Sequence, residues 1–239
     1  MNKLFLLLFW GILSASVQGS VVIMGTRVIY PESQKSVNIE LRNDESSPSL
    51  IQSWIDTGDE NAEPDTLKVP FIITPPITRI EPNSGQTLRV MYTGENLPKD
   101  RESIFWLNVL DIPAKPKKAD NNFNYLQLAV RSRIKLFYRP NGLKVNLSEA
   151  YKNVEWKINQ NASEVTAVNN TPYYITYSKL SLISNDKVVE TIKGKMVPPF
   201  SSEKFHINYS GSLSGLKLAW RVVNDYGGYQ ENESTLVKD

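Results

Sequence analysis

Residues 124–140 read NYLQLAVRSRIKLFYRP, and they predict one long β-strand. Apolar side chains recur at every second position, Leu126, Leu128 and Val130 and then Ile134, Leu136 and Tyr138, which is the period of a strand. The positions between them carry Gln127, Arg131, Arg133, Lys135 and Arg139, so much of the other face is cationic. Simple alternation puts Lys135 opposite Leu126, Leu128 and Val130 unless a bulge intervenes, which the sequence leaves open. Neither Gly nor Pro interrupts the run before Pro140, which cannot donate to a ladder and marks its end. At about 3.3 Å per residue the run spans roughly 50 Å. At a sheet edge such a strand is a template for pairing, with a partner or with a second copy of the same chain.

The first 19 residues predict a signal peptide. Lys3 supplies a positive start, residues 4–13 an apolar run, and the small residues around Gly19 a cleavage site before Ser20. No later stretch is apolar over 18 residues, so no membrane insertion is expected of the exported chain. Without Lys3, the 27 basic residues become 26 against 25 acidic ones, a balance that gives no reason to expect nucleic acid as a partner. Cysteine is absent, so packing rather than disulfides must hold the fold in an oxidising compartment. About 220 mature residues allow one large domain or two of ordinary size.

Short alternating runs punctuated by turn residues follow one another from Ser20: 21–30, broken by Gly25, then 36–42, 50–56, 71–73, 86–92 and 104–110. The Thr74-Pro75-Pro76 step between two of them must bend or extend the chain and is able to hold a cis bond. A lysine-rich loop over 113–123, with Lys115, Lys117 and Lys118, leads into the long strand. After a linker at Asn141-Gly142 come 143–147, 154–158, 164–169, 173–183, 187–192, 204–209 and 216–223. Strands at this spacing with no helix pattern predict an all-β protein of two immunoglobulin-like sandwiches, over 20–140 and 141–239.

Residues 97–114, LPKDRESIFWLNVLDIPA, closely resemble the signature of the periplasmic pilus-assembly chaperones, the PapD/FimC-like family. Thr26-Arg27, Thr74-Pro75-Pro76, IKLFYRP at 134–140, NNTPYY at 169–174 and NDYGG at 224–228 extend the resemblance, in order, over nearly the whole mature chain. It implies two sandwiches joined at an angle with a cleft between them, and partners that are fimbrial (pilin) subunits lacking their last strand, with an outer-membrane usher receiving the complex. It further implies that the long strand is lent to the subunit, Leu126, Leu128 and Val130 entering the gap in the subunit core. Arg27 and Lys135 would bind the subunit's C-terminal carboxylate, and Glu102, Arg139 and Asp225 would form an ionic cluster between the domains. The short loop and the missing cysteines resemble the short-loop branch of the family. No cofactor is implied.

Without the resemblance each of these residues has an ordinary explanation. The apolar triplet would be core facing a second sheet, and Arg27 and Lys135 would be solvated charges. The alternative from another class is a secreted two-domain adhesin or structural surface protein, whose long strand is a core strand. Catalysis is not expected: His206 is the single histidine, no Gly-x-Ser-x-Gly elbow occurs, and no His/Cys group has metal-ligand spacing.

Overall fold

The computed structural model describes residues 21–115, 127–159, 161 and 163–238. In the first half the strands are β1 (Val22–Ile23), β2 (Arg27–Pro31), β3 (Val37–Asn43), β4 (Ser49–Asp56), β5 (Phe71–Thr74), β6 (Ile77–Ile80), β7 (Ser84–Tyr92), β8 (Ser103–Pro113) and β9 (Val130–Arg139). They form a four-stranded sheet, β1-β3-β7-β5, and a five-stranded one, β2-β9-β8-β4-β6. In the second half a single helical turn, α1 (Leu147–Ala150), precedes β10 (Glu155–Ile158), β11 (Glu164–Asn169), β12 (Ile175–Ser184), β13 (Lys187–Lys193), β14 (Met196–Val197), β15 (Ser201–His206), β16 (Lys217–Val223), β17 (Tyr229–Thr235) and β18 (Val237–Lys238). Here the sheets are β15-β11-β10-β18 and β13-β12-β16-β17, with β14 paired to β12. Each pair of sheets closes on its own core, one around Tyr30, Ile51, Leu88 and Leu136, the other around Trp156, Tyr177, Phe205 and Trp220. These are two immunoglobulin-like sandwiches, joined at an angle around a cleft.

Several expectations need correction. The long strand is shorter than its alternation predicts: β9 begins at Val130, residues 127–129 are not in a strand, and Leu126 lies outside the described residues, as does most of the lysine-rich loop. The reason is the partner. β8 runs on to Pro113, which the register sets opposite Leu128, but proline has no N–H to give to the ladder, and the pairing with β9 stops at Asp111 and Val130. Residues 143–147 do not form a strand. Asn146 instead caps α1, its Oδ1 accepting the Glu149 N–H at 2.9 Å, in the Asn-x-x-Glu spacing of a helix start. The strands β6, β14, β17 and β18 were not expected. The Thr74–Pro75 bond is cis.

The first strand does something that alternation alone does not reveal. It breaks at Gly25, whose φ of +151° is a conformation that favours glycine, and changes sheets there. β1 pairs with β3, whereas β2 pairs in parallel with β9, Arg27 beside Lys135 through Pro31 beside Arg139.

Candidate functional site

β9 pairs with β8 without a register shift from Val130 to Tyr138, so no bulge interrupts its alternation. Ile134, Leu136 and Tyr138 therefore face the first core, while Arg131, Arg133, Lys135, Phe137 and Arg139 share the opposite face. That face looks toward the second domain: Phe137 is buried against Tyr174, ring centroids 5.7 Å apart. Val130 lies on the same face as the core residues but is 46% exposed, and Leu128 is 64% exposed. Neither belongs to the protein's own core. On the side of β9 away from β8, β2 covers only residues 135–139, and no described strand pairs with 130–134.

Lys135 sits in a row that crosses four strands, Asp56, Trp106, Lys135, Arg27. Asp56 does not neutralise it. Its buried carboxylate is taken by Arg133, with Nη2 at 2.6 Å and Nε at 3.0 Å, by Asn108 Nδ2 at 2.6 Å and by the Gly58 N–H at 2.7 Å. Burial pushes this carboxyl up, but the donors from Arg133, Asn108 and Gly58 outweigh it and hold it below the usual range. Arg131 donates to the Glu60 carbonyl at 2.7 Å, and Arg139 is paired with carboxylates. Among the described residues, Lys135 alone of the β9 cations has only a hydroxyl oxygen as its acceptor.

Among the described residues Arg27 and Lys135 hydrogen-bond only to neutral groups. Arg27 Nη1 donates to the Val223 carbonyl at 3.0 Å, and its buried Nε has no acceptor among the described residues. Lys135 Nζ donates to Thr176 Oγ1 at 3.3 Å and stands 5.7 Å from the Trp106 ring. Burial, and then the charge of Arg27, bring the Lys135 ammonium down to about 8. Burial also lowers Arg27, against the pull of Tyr151, Asp225 and Glu102. Two half-buried cations side by side, with no carboxylate paired to either among the described residues, form a site that favours an anion. The Val223 carbonyl is not legible in the sequence, because a backbone oxygen leaves no mark there, and the Thr176 hydroxyl stands in an alternating strand of the other half of the chain that no motif marks out.

At the other end of β9, Arg139 bridges two carboxylates. Its Nε lies 2.7 Å from Glu102 Oε1, and its Nη1 and Nη2 lie 2.6 and 2.9 Å from the two oxygens of Asp225. Glu102 is buried and accepts the Tyr174 N–H at 2.9 Å through its other oxygen, and its own N–H donates to the Pro172 carbonyl. Burial opposes the Arg139 charge, yet Asp225 and Glu102 together hold its pKa above the ordinary value. The three residues thus span both domains. Gly227, with φ +81°, packs against the Thr26 side chain two residues beyond Asp225.

Residues 20–144 match the family described as the pili and flagellar-assembly chaperone PapD N-terminal domain, and residues 149–234 match the pili assembly chaperone PapD C-terminal domain. The chain belongs to the PapD-like pilus-assembly chaperones. It is 46% identical to the probable fimbrial chaperone YadV of Escherichia coli K12, over 93% of this chain and 92% of that one. It is equally identical to the chaperone protein HifB of Haemophilus influenzae, over 96% and 94% of the two chains. Among solved structures it is similar to YadV, with a TM-score of 0.77, 44% identity and 90% and 99% coverage. The Salmonella enterica SafB chaperone, solved in complex with the SafA pilin, is 28% identical with a TM-score of 0.76, over 93% of this chain and 99% of that one. Membership of a PapD-like chaperone family implies a non-enzymatic role. Among the described residues no group of three His, Cys, Asp or Glu is placed to hold a metal, and no helix is long and apolar enough to cross a membrane.

Proposed function

We propose that this chain is a periplasmic, ATP-independent chaperone that captures fimbrial subunits by lending them a strand and delivers them to an outer-membrane usher. Export follows cleavage after Gly19, and the two working units are residues 20–140 and 141–239. The observation that carries the reading is a pair of half-buried cations, Arg27 and Lys135, without a carboxylate partner among the described residues and standing at the end of an open strand edge. An incomplete subunit sandwich exposes an apolar groove flanked by unpaired backbone groups, and a lent edge strand satisfies both. Leu126, Leu128 and Val130 enter the groove, each contributing about 1.5–3 kcal/mol when fully buried. Arg27 and Lys135 hold the subunit's terminal carboxylate, which fixes the register of the added strand. Glu102, Arg139 and Asp225 set the angle at which the second domain stands over that site. The protein catalyses no covalent reaction and needs no cofactor.

The test is capture of a co-expressed subunit from periplasmic extracts, with Arg27→Ala and Lys135→Ala beside the wild type. Losing one cation should cost about 2–5 kcal/mol, tens to thousands of fold in affinity, while the chaperone stays folded and exported. A subunit with an amidated or extended C-terminus should be a poor client. Wild-type capture by both alanine variants would overturn the reading.

A further inference from the structure

Asp111 is an acid at a core position. Along β8, Phe105, Leu107 and Val109 turn alternate side chains into the first core, and Asp111 continues that row near the strand's end, between Ile51 of β4 and Val130 of β9. Only 4% of it is exposed. Its Oδ2 accepts the Val21 N–H at 2.8 Å, whereas its Oδ1 is buried without a hydrogen-bond partner. Among the described residues no cation is paired with it. A buried carboxylate in that state is strongly destabilising, and a single backbone N–H does not offset the loss of water. Its one donor, Val21, directly follows Ser20, where the signal-peptide reading starts the mature chain.

We propose that processing supplies the missing cation: the α-ammonium of a chain that begins at Ser20 pairs with Asp111 and pins the first strand to the end of β8. The inference rests on the reading that cleavage follows Gly19. Hydrolysis of the Gly19–Ser20 bond takes up one water; the new carboxylate leaves with the signal peptide and its proton ends on the Ser20 amine. Before the cut the same nitrogen is an amide, which donates one hydrogen bond but carries no charge. Covalent geometry holds that nitrogen no more than about 3.6 Å from Val21 N, and Asp111 Oδ2 already lies 2.8 Å from Val21 N. The carboxylate is therefore within reach of the ammonium, whose three donors suit the orphaned Oδ1. What is pinned matters for the anchor. β1 is two residues long, Val22 opposite Arg42 and Ile23 opposite Leu41, and four residues later the chain reaches Arg27. With the terminus bound, the segment that leads to Arg27 is held at both ends, by Asp111 and by the pairing of β2 with β9. In the precursor the unpaired charge works against the first of these, so processing completes the anchor.

The test compares chains that begin at Ser20 with chains that keep Gln18-Gly19 ahead of it, both released from a cleavable fusion, each with Asp111 and with Asp111→Asn. The two extra residues move the ammonium away and leave an amide in its place, and Asn keeps an acceptor for the Val21 N–H. With Asp111 the extended chain should melt about 3–6 °C below the mature one, whereas with Asp111→Asn the two should melt within about 1 °C of each other. Amide hydrogen exchange over residues 21–29 reads the same coupling without any substitution, and should be about tenfold faster in the extended chain. Equal midpoints or equal exchange in the two Asp111 chains would overturn the inference. So would an equal difference in the Asp111→Asn pair, which would assign the effect to the added residues alone. The mass of the protein recovered from periplasmic extracts tests the reading beneath. A start other than Ser20 removes the cleavage reading and the inference with it, whereas a Ser20 start without coupling removes the inference alone.

Discussion

At Lys135 two costs meet, since its ammonium is partly withdrawn from water and Arg27 stands one strand away. A lysine whose folded pKa is lowered to about 8 from 10.5 makes the folded state unfavourable wherever it is charged. That cost is present in full below about pH 8. It is relieved as pH rises toward 10.5, because over that window the unfolded chain binds the extra proton. Lys135→Met keeps the aliphatic stem and removes the charge. After allowance for the group's exposure it should stabilise the free protein by about 1 kcal/mol at neutral pH, a rise in thermal midpoint of about 2–4 °C. The gain should vanish near pH 10, and melts across that range check it. Subunit capture should fail in the same variant, and in the wild type it should weaken as pH climbs above about 8. A destabilised variant, or capture indifferent to pH, would contradict this account. In the sequence Arg131, Arg133 and Lys135 look alike. What separates them is that Asp56, 77 residues before Arg133, is placed to claim it and not Lys135.

At the scale of elements, β9 was legible as a strand and its two faces were legible from period two, but its start was not. Alternation continues back to Leu126 in the sequence, whereas residues 127–129 are in no strand and no described strand pairs with them. β17 was missed for the opposite reason. Its sequence, YQENEST, has no apolar face, and it exists through seven consecutive pairings with β16. The capping spacing at Asn146 was available and outweighed by the apolar residues around it. The break at Gly25 was visible, yet a change of sheet depends on which strands flank it, which no local pattern encodes. From the exposure of Leu128 it follows that Leu128→Glu should leave the free protein's stability within about 0.5 kcal/mol of wild type. In the complex the same charge would sit in the subunit's core, costing several kcal/mol. Melting and co-purification, run side by side, separate these effects. A large loss of stability in the free protein would favour the adhesin alternative.

On the scale of the whole molecule the question is what holds two independent cores at one angle. Gly227 contributes by its lack of a side chain: a Cβ there would stand 2.5 Å from Thr26 Oγ1, in a backbone conformation that already disfavours one. Gly227→Ala should therefore part the domains near Arg27 and weaken capture, which a peptide-binding assay reads. Arg139 is expected to be the stronger determinant. It ties Glu102 in the first domain to Asp225 in the second, and Glu102 also receives the Tyr174 N–H from the second domain. Arg139→Ala leaves a buried and a half-buried carboxylate facing each other with no cation between them. Breaking a buried pair from one side costs about 3–5 kcal/mol, and Asp225's partial exposure places this case at or below about 3. Neither core contains Arg139, so both sandwiches should stay folded while the thermal midpoint falls and the hinge loosens. Arg139→Lys should recover only part of the loss, because an ammonium cannot reproduce two parallel bonds to Asp225 and a third to Glu102. Small-angle scattering of the free protein is the measurement, with a broadened or extended envelope expected for Arg139→Ala. An unchanged envelope together with an unchanged midpoint would mean that the apolar contact of Phe137 with Tyr174, not the ion cluster, sets the angle.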